Sequence, residues 1–270
     1  MFIMKDIDFV KISGSGNDFI VIDNRQDSIT LSPEFIKEVC ERKKSVGADG
    51  VLLLEKSDVS DLKMRIFNPD GREVEMCGNG ARCVAFWAKQ IISQPRIKIE
   101  TKSGRIEAEV MSGERVRIKL GDPRDIKLKL ELNLQGRTYK VNFINTGVPH
   151  AVIFTKEFPQ DIKGVGASIR YHQQFKPEGT NVDFVKIKSP DTISIRTYER
   201  GVEDETMACG TGAVAAAILA YHTSLVNKKQ ISVETKGGEV LKVYFECNGS
   251  FKNIWLEGQV RIVYKGKIRS

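Results

Sequence analysis

Apolar positions in this chain come mostly in short runs rather than in long helical stripes. Residues 9–11, 19–23, 50–55 and 62–68 are apolar or alternating runs bounded by Gly, Asn, Asp and Pro, and they predict strands. Residues 97–101, 105–110 and 115–120 predict antiparallel strands joined by Lys-Ser-Gly and Ser-Gly-Glu turns. Ser32-Pro33-Glu34 opens a helix, with Ser as cap, Pro at its first position and an acid in the first turn; Phe35, Ile36, Val39 and Cys40 form its apolar face. Asp122-Pro123-Arg124-Asp125 reads as a boundary, after which Ile126, Leu128, Leu130, Leu132 and Leu134 alternate as a strand that turns at Gln135-Gly136. Two segments break this rhythm. The stretch after Cys77, with Val84, Phe86 and Trp87, and residues 214–220 are apolar nearly all round, as helices buried in the middle of a domain are.

Those two segments are introduced by nearly the same words. Met76-Cys77-Gly78-Asn79-Gly80-Ala81 recurs as Ala208-Cys209-Gly210-Thr211-Gly212-Ala213. Gly16 before Ile20-Val21-Ile22 matches Gly147 before Ala151-Val152-Ile153 at an offset of 131, and Cys77 matches Cys209 at 132. Gly47-Ala48-Asp49 matches Gly179-Thr180-Asn181 at 132, and Ile97 matches Ile231 at 134. The order is kept while the offset drifts, as loop insertions would make it, so the chain carries a two-copy domain repeat. Its 270 residues then divide into halves at 1–122 and 123–258. Residues 259–267 are strand-like, have no counterpart at the end of the first half, and could complete either sheet.

A cysteine at a helix start is either a small buried hydrophobe or a reactive thiol. Helix N-termini lower a thiol pKa through the macrodipole and through backbone N–H groups that lack intrahelical partners, and the same N–H groups hold carboxylates. Two equivalent thiols suggest a paired base and acid, as inversion at a carbon bearing hydrogen requires: one removes the α-proton while the other delivers a proton to the opposite face. No lysine stands in a recognisable pyridoxal-phosphate context and no nucleotide site appears, so the reading includes no cofactor, and two helix N-termini aimed at the substrate carboxylate would stabilise the carbanion. Cys83 lies six residues after Cys77, roughly 240° around a helix, and reads as core with Cys40.

Composition removes other classes. The five cysteines form no C-x-x-C pair, and His150, His172 and His222 show no metal-ligand spacing, so zinc and a secreted disulfide framework fit poorly. The net charge of +7 is spread along strands and loops, without a nucleic-acid motif, and suits an anionic small substrate. Residues 1–11 carry no signal-peptide pattern and no run is long enough to span a membrane, so a cytoplasmic location is expected. Gly14-Ser15-Gly16 lacks the third glycine of a dinucleotide fingerprint, because Phe19 stands in its place.

Ser13-Gly14-Ser15-Gly16-Asn17-Asp18-Phe19, Phe67-Asn68-Pro69-Asp70-Gly71, the Cys77-Gly78-Asn79-Gly80-Ala81-Arg82-Cys83 run, Tyr198-Glu199-Arg200-Gly201 and Ala208-Cys209-Gly210-Thr211-Gly212 resemble the diaminopimelate epimerase family. The resemblance runs nearly end to end. It implies an α/β fold of two pseudo-symmetric domains, each a curled, mostly antiparallel sheet or barrel around a central helix, with the active site in the interdomain cleft and residues 259–270 returning to the first domain. The implied reaction is cofactor-independent interconversion of LL- and meso-2,6-diaminopimelate, for lysine and peptidoglycan synthesis. Cys77 and Cys209 resemble the catalytic thiols, and Gly78, Asn79, Gly210 and Thr211 the helix-start residues whose backbone holds the reacting carboxylate. Asn17, Asn68, Asn181 and Arg200 resemble the set that reads the distal amino acid, Glu199 an acceptor for an ammonium, and His150 a neighbour of the catalytic site.

From the residues alone each asparagine could equally be a turn former. Gly50 stands where some members have Gln, Val148 where many have Asn, and Asp204-Glu205 where Gly-Glu is usual, so distal recognition is less constrained than the chemistry. Rival readings are a proline-racemase-type relative, a thiol redox protein cycling through a Cys77–Cys209 disulfide, and a non-catalytic amino-acid-binding protein. The partner expected is a small-molecule substrate, with neither nucleic acid nor membrane, and a homodimer is left open.

Overall fold

A computed structural model of the protein describes residues 6–134 and 136–269. Gln135, half of the expected 135–136 turn, and the first five residues of the N-terminal stretch lie outside the described residues. The chain divides into two compact units, residues 1–118 with 258–270, and residues 119–257. In chain order the first unit holds β1 (Asp6–Gly14), β2 (Asn17–Asp23), α1 (Pro33–Cys40), β3 (Gly50–Glu55) and β4 (Leu62–Phe67). It continues with β5 (Glu73–Val74), α2 (Gly78–Ile92), β6 (Arg96–Thr101), β7 (Gly104–Val110) and β8 (Arg115–Lys119). The second holds β9 (Arg124–Leu134), β10 (Arg137–Asn145), β11 (Pro149–Phe154), α3 (Ile162–Arg170), β12 (Asn181–Ser189) and β13 (Thr192–Glu199). It ends with β14 (Asp204–Thr206), α4 (Gly210–His222), β15 (Gln230–Glu234), β16 (Val240–Cys247) and β17 (Phe251–Arg269), whose later half belongs to the first unit.

Each unit repeats one pairing sequence. In the first, β1–β2, β3–β4, β6–β7 and β7–β8 are antiparallel, while β2–β3 and β4–β6 are parallel. In the second, β10–β11, β12–β13, β15–β16 and β16–β17 are antiparallel, while β11–β12 and β13–β15 are parallel. A parallel pair needs a crossover, and each of the four crossovers carries one α-helix, with a 3-10 turn at Gln173–Phe175 added in the third. The strand at residues 258–269 runs antiparallel to β1, from Gly14 opposite Val260 to Asp6 opposite Arg269. Because β17 also pairs with β8, eight strands of the first unit, β1 to β4, β6 to β8 and β17, close into a ring, with β5 added beside β4. Residues 260–269 thus pair with a strand of the first unit.

Packing explains which helix goes inside. α2 touches β1, β2, β3, β4, β6 and β7, and α4 touches β10 to β13, β15 and β16. α4 is buried at every position from Gly212 to Ala220, and small alanines let the sheet wrap closely around it. α1 is amphipathic instead: Ser32 caps it by accepting from Phe35 N–H at 3.1 Å, and Ile36, Val39 and Cys40 pack on Ile20, Ile22, Val51 and Leu53. Burial on both faces accounts for the continuous apolar run of β3. α3 is not among the helices predicted above, since Gly164 and Gly166 weaken a helix, although Asp161 caps it by accepting from Gly164 N–H at 2.8 Å. Gly166 is needed because a Cβ there would stand 2.6 Å from Tyr198 Cβ. Among the described residues no helix is long and apolar enough to cross a membrane.

Candidate active site

Both cysteines cap the buried helix of their unit: Cys77 starts α2 and Cys209 starts α4. Cys77 is half-buried, and its Sγ accepts from Gly80 N–H at 3.4 Å. Beside it Asn79 Nδ2 donates to Asn17 Oδ1 at 2.7 Å, and Arg82, fully buried on the helix, donates to Asn79 Oδ1 and to Ser15 Oγ. Asn17 in turn donates to Asp49 at 3.1 Å, and Arg42 grips Asp49 and Asp18 at 2.6 Å each. Burial works against the Asp18 carboxylate, but Arg42 and Lys11 outweigh it and hold the pKa down to about 2. Asn68 lies apart from this chain of contacts. Its backbone closes the turn to Gly71 and Arg72, and its half-buried carboxamide has no hydrogen-bond partner among the described residues.

Cys209 is buried, and its Sγ lies 3.5 Å from Thr211 Oγ1. Thr211 Oγ1 is 3.0 Å from His150 Nε2, and His150 Nδ1 is 2.7 Å from Asp183 Oδ2. Thr197 donates to the other Asp183 oxygen at 2.7 Å. Asn181 is held on both sides, donating to the Pro149 carbonyl at 3.0 Å and accepting from Arg200 N–H at 2.9 Å. The half-buried Arg200 guanidinium donates to the Glu178 carbonyl at 3.2 Å and meets no carboxylate among the described residues. Burial raises the Glu199 carboxyl above its ordinary range.

The thiol expectation needs correction at Cys209. Burial pushes this thiol well up, Glu199 and Asp183 push it the same way, and the Thr211 contact recovers only part. The helix terminus is outweighed because the sulfur is desolvated beside two carboxylates. Cys40 is core, its thiol raised by burial to about 11, and Cys83 is buried against Gly14, where a Cβ would stand 2.8 Å from its sulfur. No cysteine forms a disulfide, and among the described residues no group of three His, Cys, Asp or Glu could hold a metal.

The departures have local causes. A Cβ at Gly50 would stand 2.6 Å from the Phe67 carbonyl oxygen, so β3 and β4 approach where a side chain could not follow. Asp204 and Glu205 form β14, with Asp204 paired to Lys163 at 2.6 Å and Glu205 to Arg196 and Lys236. The sequence reading missed Asp183, Thr197 and the buried Arg82. Asp183 left a signal, a carboxylate inside the apolar run Val182-Asp183-Phe184-Val185, where only a partnered charge can be buried.

Paired units of one strand order, each wound on a buried helix, define a two-domain fold seen in solved structures. A phenazine biosynthesis protein of the PhzF family from Bacillus anthracis superposes with a TM-score of 0.72 at 16% identity, covering 98% of this chain and 99% of its own. A hydroxyproline epimerase from Agrobacterium vitis, with bound trans-4-hydroxy-L-proline, gives 0.65 at 15% identity, covering 100% and 93%. The chain itself belongs to the diaminopimelate epimerase family, whose pattern matches residues 9–126 and 142–263. A diaminopimelate epimerase from Chlorobaculum tepidum is 42% identical over 261 residues, 95% of this chain and 99% of that protein.

Proposed function

We propose that the protein interconverts LL- and meso-2,6-diaminopimelate without a cofactor, for lysine and peptidoglycan synthesis in the cytoplasm, with Cys77 and Cys209 as the paired base and acid. The observation that carries this reading is the placement of one thiol at the start of each buried helix in a chain of this family. One thiolate takes the α-proton while the other thiol protonates the opposite face, and the roles exchange in the reverse direction. Backbone N–H groups at Gly78, Asn79, Gly210 and Thr211 hold the reacting carboxylate as charge builds on it. Asn17, Asn68, Asn181 and Arg200 read the distal amino acid, Glu199 accepts its ammonium, and His150 supports the site from behind. The halves 1–122 and 123–258, with 259–270 returning to the first, are the two domains of this proposal.

Arg200 and Asn68 favour diaminopimelate over a proline-type substrate. A half-buried guanidinium without a carboxylate suits a bidentate partner on the substrate, and proline offers no second head for it. The deciding experiment is proton NMR of meso-diaminopimelate with the protein in D2O, followed by chiral separation. Loss of the α-proton signal with appearance of the LL isomer is expected. Exchange with proline instead would replace the substrate, and no exchange by folded, reduced protein would overturn the enzyme reading. Cys77→Ala and Cys209→Ala are each expected to abolish epimerisation with the fold intact, and full activity in either would remove the two-base scheme.

A further inference from the structure

Behind Cys209 the polar side chains of Thr211, His150 and Asp183 form a chain of contacts that ends in a carboxylate acceptor. Asp183 and His150 are fully buried, with the carboxylate accepting from Nδ1–H at 2.7 Å. A neutral imidazole whose Nδ1–H is held in this way carries its lone pair on Nε2. Thr211 O–H therefore donates to Nε2 at 3.0 Å, which leaves its oxygen facing the Cys209 thiol at 3.5 Å. Thr197 O–H fixes the far side of Asp183 at 2.7 Å. Gly212 is part of the same arrangement, because a Cβ there would stand 2.5 Å from Asp183 Oδ1.

We propose that Thr211, His150 and Asp183 form a proton relay behind Cys209, with His150 and Asp183 as positioning residues that let the thiol lose its proton away from the substrate face. This rests on Cys209 being a catalytic thiol. In the step, the Cys209 S–H bond breaks as its proton forms an O–H bond at Thr211. The original Thr211 proton leaves that oxygen and bonds to His150 Nε2. The products are a thiolate and an imidazolium, the latter held by the Asp183 carboxylate, so net charge is unchanged and no other reactant is needed. The reverse movement restores the thiol. A relay answers a difficulty of this site, where burial together with the Glu199 and Asp183 carboxylates disfavours a thiolate left alone.

The test uses Asp183→Asn, Thr211→Val and Thr211→Ser in the full chain, with circular dichroism as the folding control. In Asp183→Asn the amide oxygen stays with Thr197 and the amide N–H turns to Nδ1, moving the imidazole proton to Nε2 and closing the relay, as the same change does to a catalytic triad. Asp183→Asn and Thr211→Val are each expected to lower kcat about 100-fold, with KM changed less than about threefold. Thr211→Ser should regain at least about tenfold over Thr211→Val, and the double variant should be no worse than either single one. Multiplying losses in the double variant, or a Thr211→Ser as poor as Thr211→Val, would make the roles merely structural and overturn the relay. If Asp183→Asn does not fold, the two Thr211 variants decide alone. Near-normal Thr211→Val with an inactive Cys209→Ala defeats the relay only, whereas an active Cys209→Ala defeats the reading beneath it.

Discussion

In the first unit Phe19 lies opposite Gly50 and Leu52 opposite Ile66; in the second His150 lies opposite Asn181 and Asp183 opposite Thr197. The registers make Phe19, Leu52 and Ile66 the counterparts of His150, Asp183 and Thr197. All six are buried, and they face the same place under the start of the central helix: a Cβ on Gly80 would meet Leu52, and one on Gly212 would meet Asp183. One thiol thus has a hydrocarbon floor and the other a hydrogen-bonded, charged one. A repeated scaffold does not repeat its electrostatics. For the base and acid proposed above, such an inequality biases which thiol carries the proton before the substrate arrives.

The largest effect should come from forcing one lining into the other unit. Leu52→Asp buries a carboxylate with Phe19 and Ile66 where its counterpart has His150 and Thr197, and is expected to cost about 4 kcal/mol in denaturant unfolding. A loss below about 1 kcal/mol would mean that the two floors are interchangeable. The paired glycines sharpen the point. Gly212→Ala drives a Cβ to 2.5 Å from an Asp183 oxygen fixed by hydrogen bonds, and should cost about 3 kcal/mol, while Gly80→Ala meets Leu52 Cδ2 at 3.0 Å, a methyl that can turn, and should cost about 1. Equal losses would show that the carboxylate yields as readily as the leucine.

Next comes Arg200, whose guanidinium meets no carboxylate among the described residues, set against Asn68. Arg200→Lys keeps the charge but loses the planar fork, and KM for diaminopimelate should rise about 10- to 100-fold with kcat little changed. Asn68→Ala should raise KM by about fivefold. An unchanged KM in Arg200→Lys would remove the distal carboxylate from this guanidinium.

Much of this was legible beforehand, for identifiable reasons. The first strands announced themselves because runs such as β3 are apolar on both faces, and the second central helix because Ala213 to Ala220 have no polar side. The repeat located both thiols. The helix at α3 was not legible, since Gly166 in it is required by contact with Tyr198 on another element, a fact that no local propensity contains. The raised Cys209 thiol was equally out of reach. A helix start predicts a lowered value, and the burial and carboxylates that reverse it come from residues 26 and 10 positions away, a separation that follows from the numbering of Asp183 and Glu199.

That reversal gives a smaller, chemical test of the comparison. With its thiol raised by burial and then by Glu199, Cys209 should alkylate slowly at pH 8. Glu199→Gln removes the second cause, favours the thiolate, and should speed iodoacetamide labelling of the Cys209 peptide about fivefold, read by mass spectrometry. A rate independent of Glu199 would leave burial and Asp183 as the causes.

The smallest effect belongs to the first unit, whose charges stand beside β2 and β3 instead of under the helix. Asp18 is held down to about 2 because bonds from Arg42 and Lys11 outweigh the cost of its burial. Its ordinary value is 3.8, so between the two the unfolded chain binds more protons than the folded one. The stabilisation is therefore complete above about pH 4 and is lost as pH falls through about 2. Arg42 is half-exposed and screened by solvent, so Arg42→Ala should cost only about 1 kcal/mol at pH 7, less in high salt, and almost nothing near pH 2. Denaturant unfolding of the two proteins across that range measures the convergence. A gap that stays constant with pH would mean that Arg42 acts by packing its stem, and would leave this pair without an acid-sensitive contribution to the first unit.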